Sequence, residues 1–214
     1  KIGVKPGDHL LEIGCGWGGF AKQASEDHQL KVHGITLSKE QLAWAKKAAS
    51  DAGLDDQVHF SLTDYRDLET RYDAVVSIEM FEAVGEAHWD TYFNTVKKVL
   101  KPGGNAVLQV ITIDDDRFQT YRKQADFIQR YVFPGGMLPS IEALKSKVEE
   151  HGLELKEMQL FGKDYAQTLR EWSKDFEQAW DQIKPLGFDE TFYRLWRYYL
   201  AYCEGGFEHG SIDV

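Results

Sequence analysis

The chain has 214 residues, 43% hydrophobic and 28% charged, and 25 Lys and Arg against 35 Asp and Glu leave a formal net charge of −10. This composition argues against a disordered chain, and no run approaches the ~18 apolar residues of a membrane-spanning helix. The acidic balance argues against nucleic-acid binding, which needs a positive field, and against simple electrostatic docking on anionic lipid. Two cysteines, Cys15 and Cys203, cannot make a disulfide framework and point to the cytoplasm. The chain starts at Lys1 and not at Met, so a fragment of a longer protein is expected.

Residues 10–13 read as a buried strand, followed by a glycine-rich turn and a helix opening at Gly19. A second strand is expected over 31–35. Ser38 should cap an Ala-rich helix running to Asp51, with Gln41 completing a capping box and Gly53 as its stop. Strands three and four fall at 58–62 and 72–77. A helix over 89–100 should end at Lys101-Pro102-Gly103-Gly104, before a fifth strand over 105–113. Strand alternating with helix at this spacing implies parallel βαβ units, an α/β doubly wound, mostly parallel sheet.

Beyond 112 the alternation breaks. Residues 112–140 carry charged helix and a Phe133-Pro134-Gly135-Gly136 turn. A capped helix is expected from Ser140 to His151, ended by Gly152, and 153–160 alternate like a strand. Residues 161–207 read as helical and hold 13 of the 28 aromatic residues, which suggests a helical, aromatic cap over an apolar pocket.

The turn Glu12-Ile13-Gly14-Cys15-Gly16-Trp17-Gly18-Gly19 follows a strand and opens a helix, where glycines let a ligand approach the backbone. Gly14, Gly16 and Gly19 also fit the dinucleotide fingerprint. A nicotinamide enzyme, however, wants an acid at the end of strand two, and Gly34-Ile35-Thr36-Leu37-Ser38 has none. Glu12, two residues before the first glycine, instead resembles the start of the S-adenosylmethionine-dependent (class I) methyltransferase fold, in which an acid suits the cationic end of the cofactor. A glycine turn without a ligand is the bland alternative. Asp64 after strand three and the Lys-Pro-Gly-Gly segment before strand five agree with the methyltransferase pattern.

The chain further resembles the cyclopropane-fatty-acyl-phospholipid synthase family, which includes the mycolic acid cyclopropane synthases. The resemblance rests on residues 11–19, on Thr36-Leu37-Ser38 with Glu40-Gln41, and on Met80-Phe81-Glu82-Ala83-Val84-Gly85. It continues through 131–140, 165–172 and 198–203. It implies a single methyltransferase domain over 1–214, with 1–111 as the cofactor-binding half and 112–140 and 161–207 as substrate-cap insertions. It also implies methyl transfer from S-adenosylmethionine to a cis double bond of an unsaturated phospholipid acyl chain. The weakly nucleophilic alkene must be held close to the sulfonium, and aromatic faces can stabilise the resulting carbocation. A base, bicarbonate in the family, then removes a proton and the ring closes.

Carried over residue by residue, the resemblance assigns Glu12, Gly14, Gly16, Thr36, Leu37, Gln41, Asp64, Tyr65 and Arg66 to the cofactor. It assigns Glu82, Gln109, Ile111 and Tyr165 to the reaction, with Cys203 as a further candidate that the helical stripe of Leu195, Trp196 and Tyr199 also explains as core. Two departures stand out: Gln109 replaces the family histidine, and Ala83 follows Glu82 where histidine is common. Gln donates a hydrogen bond but carries no charge and shuttles no proton. The seven histidines lack metal-ligand spacing, and no metal is expected. Peripheral contact with the inner membrane face, through Arg122, Lys123 and Arg130, would reconcile the acidic chain with a lipid substrate. A small-molecule methyltransferase on the same fold and a non-catalytic relative are the alternatives.

Overall fold

The computed structural model describes residues 2–214, which divide into two compact units. The first unit runs to Val110 and includes Ser146–Glu154; the second comprises Ile111–Lys145 and Leu155–Val214.

In the first unit, β1 (His9–Ile13), β2 (Lys31–Thr36), β3 (Val58–Leu62), β4 (Tyr72–Ile78) and β5 (Leu100–Gln109) form one sheet in the order β3-β2-β1-β4-β5. Every pair is parallel. The chain winds outward from β1 to β3 and then returns to the other side of β1 at β4. That reversal opens a crevice beyond the carboxyl ends of β1 and β4, where ligands bind in such sheets.

Helices α1 (Gly19–His28) and α2 (Lys39–Asp51) bring small residues against the sheet: Ala21, Ala24, Ala45 and Ala49 pack with Leu10, Val32, Phe60, Ala74 and Val76. Close packing forces glycine at Gly34, where a Cβ would lie 2.6 Å from the Phe60 ring. Helix α3 (Trp89–Val99) buries Trp89, Tyr92, Phe93, Val96 and Val99. Phe81 joins that aromatic group, fully buried, with ring centroids 5.0–5.5 Å from Tyr92, Trp89 and Phe93.

Strand five differs from expectation at both ends. It begins at Leu100, directly after α3, and carries the Lys-Pro-Gly-Gly segment inside it. Its pairing with β4 shifts register between Tyr72 and Ala74. Gly104 occupies a spot where a Cβ would meet the Asp73 carbonyl at 2.7 Å, and Gly103 has φ +79°. Pro and Gly are tolerated there because β5 is an edge strand with a bulge. The strand stops at Gln109. Residues 112–113 belong to the second unit, as β6 (Thr112–Ile113), antiparallel to β7 (Ile212–Asp213).

The second unit also holds α4 (Asp115–Tyr121), α5 (Phe127–Tyr131) and a helical hairpin of α7 (Gly162–Ile183) and α8 (Glu190–Glu208). The α6 helix (Ile141–Glu150) begins in the second unit and ends in the first. Asp126 and Gln129 form a reciprocal capping box at α5. Arg170 on α7 donates to Glu204 and Glu208 on α8 at 2.8 and 2.6 Å. Beneath lie Ala166, Leu169, Leu200, Phe207 and Val214. The strand expected over 153–160 does not form. Leu155, Met158 and Leu160 are 47–49% exposed. Alternation supplies a strand with an apolar face but not with a neighbour to pair with.

His33 on β2 shows how the first unit responds to pH. Its Nδ1 lies 2.6 Å from the Tyr72 hydroxyl and its Nε2 2.8 Å from Ser61 Oγ, with the His59 ring 5.2 Å away. Burial first, and then the neighbouring His59, hold its pKa below the usual histidine value. Folding therefore favours neutral imidazole. That stability is present above ~6.5 and is lost as pH falls toward the lower folded value. The melting temperature should drop between pH 7.5 and 5.5, and His33→Gln should flatten the drop; an equally steep loss in the variant would place the acid sensitivity elsewhere.

Candidate functional site

The glycine loop leaves β1 through three left-handed residues, Gly14, Gly16 and Gly18, at φ +82°, +52° and +84°. The N–H groups of Gly14 and Cys15 both donate to the Ile35 carbonyl, at 3.0 and 2.9 Å, which ties the loop to β2. A Cβ on Gly14 would strike the Met80 side chain at 2.6 Å, whereas one on Gly16 would point into open space. Gly14 is thus required by packing and conformation, and Gly16 by conformation beside an open backbone.

Glu12, on the last turn of the strand before this loop, is 3% exposed, and its Oε2 has no partner among the described residues. Burial pushes its carboxyl up to about 8, against a backbone hydrogen bond from Ala21 that lowers it. A buried acceptor without a donor is costly, so this oxygen calls for a cationic or hydrogen-bonding group. The adjacent Cys15 thiol is pushed up to about 12, by burial first and then by the Glu12 charge.

At the end of β2, Ser38 caps α2 as expected, accepting from the Gln41 N–H at 3.2 Å. The reciprocal half of the capping box does not form. Gln41 Oε1 instead accepts from Thr36 Oγ1 at 2.8 Å, and Thr36 Oγ1 accepts from the Ser38 N–H. Glu40 takes the Ser38 hydroxyl, at 3.0 Å. Leu37 is 72% exposed.

Beyond β3, Asp64 caps a single 3-10 turn, Tyr65–Asp67. Its Oδ1 accepts from Arg66 N and Nε at 3.0 and 2.9 Å, and its Oδ2 from Arg66 Nη2 at 2.6 Å. The guanidinium holds the Asp64 carboxyl below its usual range. Arg66 is a partner of Asp64 and is itself exposed to solvent. The Tyr65 ring meets Tyr92 edge-on at 5.6 Å.

Beyond β4 the chain turns through Glu79 and Met80 into a 3-10 turn, Phe81–Ala83, which carries the half-buried Glu82. Buried Phe81 anchors this turn in the aromatic group of α3, and the Glu82 charge reaches Tyr92. Glu79 has φ +49°, a left-handed conformation that costs an L-residue roughly 1–2 kcal/mol. Its N–H donates to the Gln109 carbonyl at 2.9 Å, and its Oε1 accepts from Gln109 Nε2 at 2.7 Å. Sequence reasoning missed Glu79; the available signal was an acid in the first position after the strand at the switch point.

The remaining expected residues lie in the second unit. Half-buried Ile111, Tyr165 and Cys203 pack against one apolar core. Tyr165 contacts Phe207 at 4.7 Å and Trp172 at 6.0 Å. Burial, and then the Asp126 charge, push the Cys203 thiol up to about 12. It is a protonated core thiol at neutral pH, unlike the thiolate of a reactive cysteine.

Among the described residues, Asp90, Glu150 and His151 converge closely enough to hold a metal ion. Lys147 Nζ donates to Asp90 and Glu150 at 2.8 and 2.7 Å. The Lys147 ammonium group thus offsets one of the two carboxylate charges from within the cluster.

The family model for mycolic acid cyclopropane synthetase matches residues 1–214. The tuberculostearic acid methyltransferase of Mycobacterium tuberculosis is 42% identical over 213 residues, which cover 99% of this chain and 50% of that protein. The cyclopropane-fatty-acyl-phospholipid synthase of Escherichia coli K12 is 38% identical over 214 residues, covering 100% of this chain and 53% of that one. The chain therefore spans about half the length of these curated relatives. Among solved structures, mycolic acid cyclopropane synthase CmaA1, crystallised with SAH and CTAB, superposes with a TM-score of 0.91. It is 28% identical, and the match covers 99% of this chain and 77% of that one. The doubly wound sheet and aromatic clusters thus agree with the expected fold.

Glu12 has a measurable signature. Its folded pKa near 8 stands above the unfolded carboxylate value of about 4.3. The sign is that of a raised pKa: stability is complete below the unfolded value and is lost as pH rises through the folded one. In the ligand-free protein, Glu12→Gln should become progressively more stable than wild type from pH 5 to 8, by on the order of a few kcal/mol, and the difference should level off above 8. Equal melting temperatures across this range would mean that Glu12 is solvated or paired.

Proposed function

The chain belongs to the mycolic acid cyclopropane synthetase family, and we propose that the protein transfers the methyl group of S-adenosylmethionine to the cis double bond of an unsaturated phospholipid acyl chain. The product is a cyclopropane or a related methylated chain. The observation that carries this reading is the match of 94–100% of this chain to relatives named for methylation of fatty acids, cyclopropanation of acyl phospholipids and methylation of sphingolipids. Neighbours named for small-molecule methylation, such as a putative sarcosine dimethylglycine methyltransferase at 16% identity, share the fold alone.

The residues at the carboxyl edge of the sheet suit the cofactor. Bound S-adenosylmethionine supplies an electrophilic methyl on a sulfonium. Glu12 offers a buried carboxylate for its ammonium group, and Gly14 and Gly16 allow the backbone to approach. Thr36, Leu37 and Gln41 serve the ribose side. Asp64, Tyr65 and Arg66 serve the adenine side; a carboxylate has about four acceptor positions, so Asp64 can accept a further hydrogen bond while paired with Arg66.

Glu82, Gln109, Ile111 and Tyr165 are assigned to the acyl end, with bicarbonate as the base they hold. An isolated alkene gains most from positioning, and the cation formed on it from aromatic faces. The aromatic segments 112–140 and 161–207 are assigned to the acyl chain. Cys203 has a packing role, because a reaction in which the alkene takes the methyl group and forms a carbocation needs no thiolate nucleophile.

The test is mass spectrometry of total fatty acids from cells expressing the full-length protein. Wild type should yield an acyl product heavier by one CH₂, and Glu82→Gln should reduce it by ~10²–10⁴-fold, the usual worth of a positioned acid or base. Fragmentation separates a ring from a branch. S-adenosylmethionine binding with no heavier acyl chain would favour a small-molecule substrate.

The protein works, in this reading, in the cytoplasm against the inner membrane face. Among the described residues no helix is long and apolar enough to cross a membrane. Arg122, Lys123 and Arg130 are exposed in the second unit, and Tyr131 and Phe133 are 65% and 55% exposed in the same stretch. Basic and aromatic residues together suit a lipid interface. Lys123→Glu with Arg130→Glu should weaken sedimentation with anionic phospholipid vesicles by at least roughly thirtyfold, from about 1 kcal/mol per basic residue lost; unchanged sedimentation would remove this surface from the reading.

A further inference from the structure

We infer that Glu79 is a positioning residue for Gln109, fixing the side-chain amide at the carboxyl end of β5 in the orientation the reaction uses. The inference rests on the methyl-transfer reading above.

Twelve glycines have positive φ among the described residues, and only two other residues do, Gln29 and Glu79. Gln29 ends α1, where a left-handed residue commonly closes a helix. Glu79 ends no helix. It follows the last residue of β4, at the switch point of the sheet, where glycine would adopt the same backbone without strain. Strain kept at such a place is a pointer to function.

The side chain engages the end of the neighbouring strand. Glu79 clamps Gln109 at two points, by the backbone N–H at 2.9 Å and by the carboxylate at 2.7 Å. The carboxylate decides which end of the amide is which, because only Nε2 can donate to it. One amide N–H is thereby committed, and the amide oxygen is turned to the other side. A hydrogen bond to a charged acceptor also polarises the amide, which strengthens that oxygen as an acceptor. A fixed, polarised acceptor is the kind of dipole that stabilises positive charge developing on a methylated acyl carbon. The same turn sets Met80 against Gly14 and Phe81 into the aromatic group. A merely structural Glu79 would therefore act through the backbone alone.

Three variants of the full-length protein separate these roles. Glu79→Gly keeps the left-handed backbone and removes the carboxylate. Glu79→Gln keeps an acceptor for Nε2. Gln109→Leu removes the group being positioned. The assay measures methyl transfer to vesicles of unsaturated phospholipid, S-adenosylhomocysteine binding by calorimetry, and melting temperature.

Glu79→Gly should melt no lower than wild type, bind S-adenosylhomocysteine within about twofold, and lose ~10–100-fold in kcat with little change in KM, as a misplaced group does. Glu79→Gln should recover kcat to within about tenfold of wild type. In the Gln109→Leu background, Glu79→Gly should cause no further loss, since the two act as one unit. Wild-type kcat in Glu79→Gly would overturn the inference, as would a loss that adds to that of Gln109→Leu or follows a fall in melting temperature. Wild-type protein that binds S-adenosylhomocysteine but leaves the lipid unmethylated would overturn the lipid reading and this role together. A methylating wild type indifferent to Glu79→Gly would overturn this role alone.

Discussion

A carboxyl group buried at the end of the central strand is the constraint around which the first unit is arranged. Glu12 is enclosed because β1 lies between β2 and β4 and because small alanines let α1 and α2 approach the sheet. The same close packing forces glycine at Gly18, where a Cβ would meet Ala45 and Phe60 at 2.9 Å, and at Gly34. The loop is therefore glycine-rich for two reasons that act together. Some glycines admit the helices, and one, Gly16, leaves backbone open. An ionised carboxylate in such a place, with one oxygen unpartnered, destabilises the fold, and natural proteins keep that kind of liability where a ligand relieves it.

The strand-order reversal also places β4 and β5 so that their ends can be cross-linked. Glu79 and Gln109 are thirty residues apart, yet their backbones and side chains are joined at 2.9 and 2.7 Å. Phe81, two residues further on, is fully buried. Rigid packing beneath Glu82 and a clamp beside it mean that this edge is organised before any ligand arrives, the condition under which polar groups are most effective.

The first four strands of the sheet were legible in the sequence because the α2 helix between them starts and stops at residues with a physical reason to do so. Gly53 at φ +70° closes α2, and Ser38 opens it. Misreadings arose where a local pattern had two outcomes that only tertiary pairing distinguishes. Lys-Pro-Gly-Gly ends a helix in most settings, but at an edge strand it forms a bulge. Residues 153–160 alternate but lack a partner strand. Gln41 is spaced for a capping box and bonds Thr36 instead, since a hydroxyl two residues before the cap is a competing donor. Among site residues, Glu12 and the glycines follow from spacing, and Glu82 from its motif. Glu79 does not: its place directly after the fourth strand was a signal, but its left-handed backbone and its bond to Gln109 appear only in the fold.

The distribution of charge within these residues bears on the chemistry. Both thiols are held near 12 by burial, so neither Cys15 nor Cys203 offers a nucleophile at neutral pH. Asp64 is paired with Arg66 and stays ionised, a group for recognition and not for proton transfer. Gln109 is an amide bound to a carboxylate and accepts no proton under ordinary conditions. A reaction that forms a carbocation on an acyl chain asks little of a nucleophile and much of dipoles and a single base. Under the proposed function, the Glu79–Gln109 pair would supply a fixed acceptor to stabilise positive charge, and Glu82 a carboxylate to hold or receive the proton. Exchange of a histidine for Gln109 in such a set removes a proton carrier while keeping an acceptor. In the proposed reaction that exchange would bear most on how the cation is resolved, ring or branch, and least on whether the methyl group is transferred.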